Sequence, residues 1–236
     1  MIDPPPVGGP RSKKAFDLAP ASARDLKRAS SILAGLRRLY PDARCELDAT
    51  TPHELLVATI LSAQATDVGV NKATPGLFAA FPTPADYAAA SPKDIEPLVK
   101  TVNFWRNKAK NIHGAMSILV EEHGGEVPPD MTSLLALPGV ARKTANVVLG
   151  NAFGINHGVV VDTHVGRLSR RFGLVDGTEE DPVRIERRLM SLFPRPSWCL
   201  LSHLMIFHGR RVCKARGGAC GDDRFCRRWC SNALAE

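Results

Sequence analysis

From residue 26 onward, apolar residues recur at three- and four-residue spacing and almost never at every second position. Leu26, Ile32, Leu33, Leu36 and Tyr40 form one such stripe and predict an amphipathic helix. Thr51-Pro52-His53-Glu54 opens another: Thr51 and Glu54 have capping-box spacing, and Pro52 suits a first helical turn. The helix predicted over Glu54 to Gln64 is apolar on most sides, so it belongs deep in a core. Further start signals stand at Thr83-Pro84, Ser91-Pro92-Lys93-Asp94 and Asp181-Pro182. A long helix is predicted over about Lys108 to His123, closed by Gly124-Gly125 in a left-handed cap. Another runs from Asp162 to Phe172, before Gly173. Val159-Val160-Val161 alone has strand composition, and three residues make no sheet. The pattern is that of an all-α chain of short helices and short loops, without internal repeats.

One interruption stands out. Thr132 to Leu137 reads as a short helix that Thr132 or Ser133 can cap. Pro138 lacks an N–H and Gly139 reaches backbone angles closed to other residues, so the helix stops there. From Ala141 an Ala-rich helix begins. The N–H groups at its start have no intrahelical acceptor and sit at the positive end of its dipole, which suits a phosphate. Arg142 and Lys143 flank that seat. An ordinary helical hairpin with two solvated basic residues has the same spacing.

Composition narrows the partner. The chain has 236 residues, 44% hydrophobic and 23% charged, enough for one large or two small domains with a packed core. The net charge of +7 favours a polyanion, because phosphates bound by Lys and Arg release counterions. No apolar run reaches the roughly 18 residues that would span a bilayer. The first residues lack the apolar centre of a secretion signal. A cytoplasmic protein with free thiols is therefore expected. Residues 1–21 are rich in Pro and Gly with Arg11, Lys13 and Lys14, and are expected to form a flexible basic tail.

Four of the six cysteines crowd into Cys213, Cys220, Cys226 and Cys230. In a cytoplasmic protein, thiols this dense point to metal binding rather than packing. Zinc competes as occupant, but no C-x2-C pair is present, as most zinc sites have. Cys45 and Cys199 lie apart and are expected to be buried thiols.

The run Leu137-Pro138-Gly139-Val140-Ala141-Arg142-Lys143-Thr144-Ala145 resembles the helix-hairpin-helix of the endonuclease III family of DNA glycosylases. The resemblance extends from about residue 22 to residue 230. It implies a two-lobed fold: a six-helix lobe over 45–155, and an iron–sulfur lobe made of 22–44 with 156–236. DNA would lie against the cleft between lobes. The implied activity is that of a DNA glycosylase with AP-lyase activity on oxidised pyrimidines in duplex DNA. The enzyme would act as a monomer, in the cytoplasm, associated with the nucleoid if bacterial. Lys143 is then the nucleophile that attacks C1′ and forms a Schiff base. An ordinary lysine, pKa about 10.4, is neutral in only roughly one molecule in a few thousand at pH 7. Desolvation and nearby positive charge have to lower that value.

The resemblance assigns Asp162 as the carboxylate that assists Lys143, a role compatible with capping a helix. Gln64, in Leu61-Ser62-Ala63-Gln64-Ala65-Thr66-Asp67, would fill the hole left by a flipped nucleotide. Asp67 would cap the next helix. A second wedge maps to Asn103 and Phe104, where the family usually has Gly and Leu; Phe104 and Trp105 could instead pack in a core. Gly139, Ala141 and Arg142 would hold a DNA phosphate. His164 would line the pocket or serve as a buried structural histidine. The loop from Gly154 to Asp162 lacks the family's proline and is one residue longer. The four cysteines would hold a 4Fe-4S cluster. The family spacing is C-x6-C-x2-C-x5-C; here it is C-x6-C-x5-C-x3-C, with Asp223 at the usual third position. Lys214 and Arg216, in the first cysteine loop, would meet the DNA backbone. Two rivals stand beside this reading. An adenine glycosylase of the same superfamily lacks the lysine and usually carries an extra domain beyond the cysteines. A non-catalytic DNA-binding or iron–sulfur sensing protein could keep the scaffold without the chemistry.

Overall fold

The computed structural model describes residues 20–216 and 220–230. Residues 1–19, with Arg11, Lys13 and Lys14 of the expected tail, lie outside the described residues, as do Gly217-Gly218-Ala219. The described chain is helical, with no strand. The α-helices are α1 (Ala23–Leu39), α2 (Pro52–Ser62), α3 (Asp67–Ala80), α4 (Pro84–Ala89), α5 (Pro92–Val99) and α6 (Trp105–His123). They continue as α7 (Met131–Ala136), α8 (Arg142–Ala152), α9 (Thr163–Arg171), α10 (Pro182–Leu192), α11 (Trp198–Arg211) and α12 (Arg224–Trp229). Two compact units result: Cys45–Ile155, and Met1–Arg44 together with Asn156–Glu236.

In the unit Cys45–Ile155, α2 is the central helix. Every residue from Leu55 to Leu61 is buried, and each large apolar side chain so buried contributes about 1.5–3 kcal/mol. The local signals around it are realised. Thr51 Oγ1 accepts from Glu54 N, and Glu54 Oε2 accepts from Thr51 N. Around α2 gather Leu77, Tyr87, Ile95, Ile112, Met116, Leu119, Leu134 and Val148. Several boundaries differ from expectation, beginning with α2 itself, which spans Pro52–Ser62 and leaves Gln64 outside the helix rather than ending it. Helix α6 starts at Trp105, not Lys108, because Phe104 adopts a left-handed conformation just before it and offers no side-chain cap for sequence to show. Helix α7 is capped by Asp130, whose Oδ1 accepts from Ser133 N at 2.9 Å, not by Thr132 or Ser133. Thr66 is the N-cap of α3, and Asp67 is its first helical residue.

The other unit packs α1 against α10 and α11, and α9 between the last two, over Ile32, Leu36, Leu168, Phe172, Leu189, Leu204 and Met205. Leu26 does not join that core: it is 44% exposed. Cys199, and Cys45 of the other unit, are only partly buried. Three rings, Tyr40, Phe172 and Phe225, surround the fully buried His208 at centroid distances of 5.3–5.8 Å. Tyr40 closes α1 as its C-cap and thereby reaches this box.

Candidate nucleic-acid and metal sites

The hairpin comes first. Leu137 ends α7, and Val140 N donates to Leu137 O at 3.1 Å, which closes the turn. Gly139 sits there with φ 76°, and a Cβ on it would lie 2.9 Å from Asn111 Cβ of α6. Ala141 caps α8 with no side-chain hydrogen bond, so no side-chain oxygen of the cap residue competes with an incoming acceptor at this helix start. Arg142 is half-buried and Lys143 is exposed in the first turn of α8. The structure thus brings Gly139, Ala141, Arg142 and Lys143 to one helix start, with a cationic side chain at each of its first two positions.

The same unit holds the two expected wedge residues. Gln64 follows the end of α2 and has φ 53°; Phe104 precedes α6 and has φ 58°. Phe104 is 62% exposed, so it is no core residue. Trp105 is partly buried, with the Arg106 guanidinium 3.9 Å above its ring. Asn103 Nδ2 donates to Gln64 O at 3.0 Å. Lys108 Nζ donates to Leu61 O at 2.8 Å and Ala63 O at 2.6 Å, and burial lowers its pKa. No motif in the sequence marks Lys108 as more than a helix start. Its signal was a cation in register with the apolar stripe of Ile112, Ala115 and Leu119.

In the other unit, Asp162 is the N-cap of α9. Its Oδ1 accepts from Val165 N at 2.8 Å, and the residue is half-buried. The preceding loop is tied down: Asn156 Oδ1 accepts from Cys199 N at 2.8 Å, and Val160 N donates to Ser202 Oγ at 3.0 Å. His164 is half-buried, with Nδ1 3.1 Å from Arg167 Nη2. Burial lowers the His164 pKa against the pull of the Asp162 charge. Lys143 and Asp162 belong to different units.

The cysteines converge in this second unit. Cys213, Cys220, Cys226 and Cys230 are all buried and free of disulfides. The sulfurs of Cys213, Cys220 and Cys226 lie within 4.8 Å of one another. Cys226 lies on α12 and Cys230 is its C-cap, and Asp223 caps the helix start by accepting from Cys226 N at 2.7 Å. Two cationic or polar groups reach the sulfurs. Arg171 Nη1 donates to Cys213 Sγ at 3.0 Å, and His208 Nε2 lies 3.1 Å from Cys226 Sγ. Hydrogen bonding with Cys226, aided by Arg171 against the effect of burial, holds Cys213 at about 5, while burial pushes Cys220 up to about 11. Buried soft donors of this kind, with an arginine beside them, suit a metal centre that takes thiolates. Arg167 fastens α9 to the same segment, with Nη2 on Cys213 O at 3.0 Å and on Gly209 O at 3.1 Å. Lys214 and Arg216 are exposed next to the first cysteine.

Residues 57–195 match the HhH-GPD superfamily of base excision DNA repair proteins. Endonuclease III of Synechocystis sp. is 57% identical over 196 residues, which cover 83% of this chain and 89% of that protein. Endonuclease III of Escherichia coli K12 is 43% identical, over 80% of this chain and 89% of that protein. Two solved structures are similar at 39% identity, each over 89% of this chain and 97% of the solved one. One is a non-covalent endonuclease III–DNA complex, with TM-score 0.84. The other is a trapped endonuclease III–DNA covalent intermediate with an estranged adenine, with TM-score 0.83. A thermostable thymine-DNA glycosylase shares the fold at 19% identity and TM-score 0.78. The chain therefore belongs to the endonuclease III family, within that superfamily. It is an enzyme of base excision repair, a DNA glycosylase with AP-lyase activity. No helix among the described residues is long and apolar enough to cross a membrane.

Proposed function

We propose that this enzyme, acting as a monomer in the cytoplasm, removes oxidised pyrimidines from damaged double-stranded DNA through Lys143. The Nζ amine attacks C1′ of the damaged nucleotide, and the N-glycosidic bond breaks as the base leaves with a proton. The nitrogen lone pair then forms the C1′=N Schiff base as the C1′–O4′ bond breaks, O4′ leaving as a hydroxyl with a proton. Loss of a C2′ proton is followed by cleavage of the C3′–O bond, which releases the 3′ phosphate. Asp162 supplies the negative charge that stabilises the oxocarbenium-like sugar and assists proton transfer. Gly139, Ala141 and Arg142 hold a backbone phosphate. Gln64 and Phe104 enter the duplex where the nucleotide has left it. His164 lines the pocket, and Lys214 and Arg216 contact phosphates without reading sequence.

The observation that carries this reading is the exposed Lys143 in the first turn of α8, directly behind a left-handed glycine hairpin. Borohydride reduction during turnover tests it. A covalent protein–DNA adduct is expected with the native chain and none with Lys143→Gln. An adduct in the lysine variant would overturn the assignment and leave the DNA-binding scaffold as the better account.

For the cysteines we propose a 4Fe-4S cluster held by Cys213, Cys220, Cys226 and Cys230. The support is the convergence of the Cys213, Cys220 and Cys226 sulfurs, with Cys230 also buried, despite the altered spacing. Bound there, the cluster would tie down the loop that carries Lys214 and Arg216. Iron and sulfide analysis with visible absorbance separates it from zinc, which would leave the protein colourless.

A further inference from the structure

Two non-glycine residues among the described ones have positive φ, and they are Gln64 and Phe104. Such a conformation costs energy unless the surroundings impose it, and it collects where a side chain must be aimed. Beside Gln64, two side chains from the segment around Phe104 bond the backbone. Lys108 is 5% exposed, so its ammonium needs full compensation. It finds Leu61 O and Ala63 O, carbonyls at the end of α2. Those groups lack helical partners and carry the negative end of the α2 dipole, so cation and carbonyls satisfy each other. Asn103 adds the next contact along the same strand of chain, from Nδ2 to Gln64 O. Glycine, usual at this position in the family, has no side chain to do this. Phe104 stands between Asn103 and the α6 turn in which Lys108 N donates to Phe104 O at 3.1 Å. The carbonyls of residues 61, 63 and 64 are thus all bonded from residues 103 and 108.

We propose that Lys108 and Asn103 are positioning residues that clamp the Gln64 and Phe104 segments into one rigid, two-pronged wedge set before DNA arrives. This rests on the reading of Gln64 and Phe104 as the residues that enter the duplex. A preset wedge bears its ordering cost during folding, so insertion is faster and the gap it fits is better defined. Neither residue touches the reacting atoms.

The test follows insertion directly. A duplex carries 2-aminopurine opposite an abasic site, and its fluorescence rise on mixing reports entry of the wedge. The same abasic strand, unpaired, needs no wedge and gives a reference rate of borohydride trapping. Asn103→Gly is expected to slow the fluorescence rise and to lower the ratio of duplex to single-strand trapping several-fold, with little change in melting temperature. Lys108→Met is expected to lower the same ratio by about tenfold or more, since misplacement of about 1 Å can cost that much. It also melts earlier. Should Lys108→Met not fold, Asn103→Gly decides alone. Native insertion rates in Asn103→Gly, with Gln64→Ala and Phe104→Ala both slow, overturn the clamp and leave the wedge. Native rates in Gln64→Ala and Phe104→Ala as well overturn the wedge and the clamp with it.

Discussion

His208 Nε2 lies 3.1 Å from Cys226 Sγ, while Nδ1 of the same ring lies 2.9 Å from the Tyr40 hydroxyl. A ligating thiolate can only accept, so with Cys226 bound to metal the Nε2 atom carries the proton and Nδ1 accepts from Tyr40. Partners of this kind typically govern metal affinity by ~10–100-fold. His208→Phe is therefore expected to lose iron to a chelator at least tenfold faster than the native protein. Tyr40→Phe, which removes one oxygen and keeps the ring, is expected to fall between them. Equal iron loss from all three proteins would show that the ring only packs.

One substitution can separate the catalytic role proposed for Asp162 from its capping role. As N-cap of α9 it accepts from Val165 N, and asparagine caps a helix about as well as aspartate. Asp162→Asn should therefore melt close to the native protein yet lose about 10²–10³-fold in single-turnover rate, on the scale of losing one preorganised group that stabilises the transition state. Asp162→Ala should lose the rate and also about 0.5–2 kcal/mol of stability. An asparagine variant with native turnover would reduce Asp162 to a cap.

Gly139 is confined from two sides. Its φ of 76° strains any other residue, and a Cβ there meets Asn111 at 2.9 Å. Gly139→Ala is expected to destabilise by more than about 1 kcal/mol, because an added methyl where φ is positive costs more than the entropy it saves. It should also weaken binding of undamaged duplex, since the hairpin N–H groups move with the turn. Titration with duplex at two salt concentrations checks this: a smaller salt slope marks a lost phosphate contact. Unchanged affinity would mean that the hairpin serves the fold only.

What could be read in advance divides by the range of the interaction. Thr51 with Glu54, and Thr83 with Asp86, are caps three residues apart, so sequence alone placed those helix starts. The start of α6 leaves no local signal, because Phe104 turns left-handed there and makes no side-chain cap. Cysteine density pointed to metal, but the donors behind the sulfurs come from elsewhere. Arg171 is 42 residues from Cys213, and Tyr40 is 168 from His208. Both Lys108 and His208 did leave a trace. Each is a polar residue in register with a buried stripe, His208 following Leu201, Leu204 and Met205 on α11. A charge or imidazole at such a position needs a partner, although its register does not say which.

His203 sits in α11 with Nε2 3.6 Å from Cys199 Sγ, and burial pulls its pKa down to about 4. In the unfolded chain an imidazole titrates near pH 6.5, at about its ordinary value. Between these two values the unfolded chain binds a proton that the native protein refuses. The contribution of His203 is thus complete above pH 6.5 and declines as pH falls toward 4. At about 1.36 kcal/mol per pH unit, the loss reaches about 2 kcal/mol by pH 5. His203→Gln removes the titration and keeps a polar side chain of similar reach. Urea unfolding at pH 7 and pH 5 should then show the native protein losing about 2 kcal/mol more than the variant. Parallel losses in the two proteins would mean that water reaches the ring and that its burial is not maintained in solution.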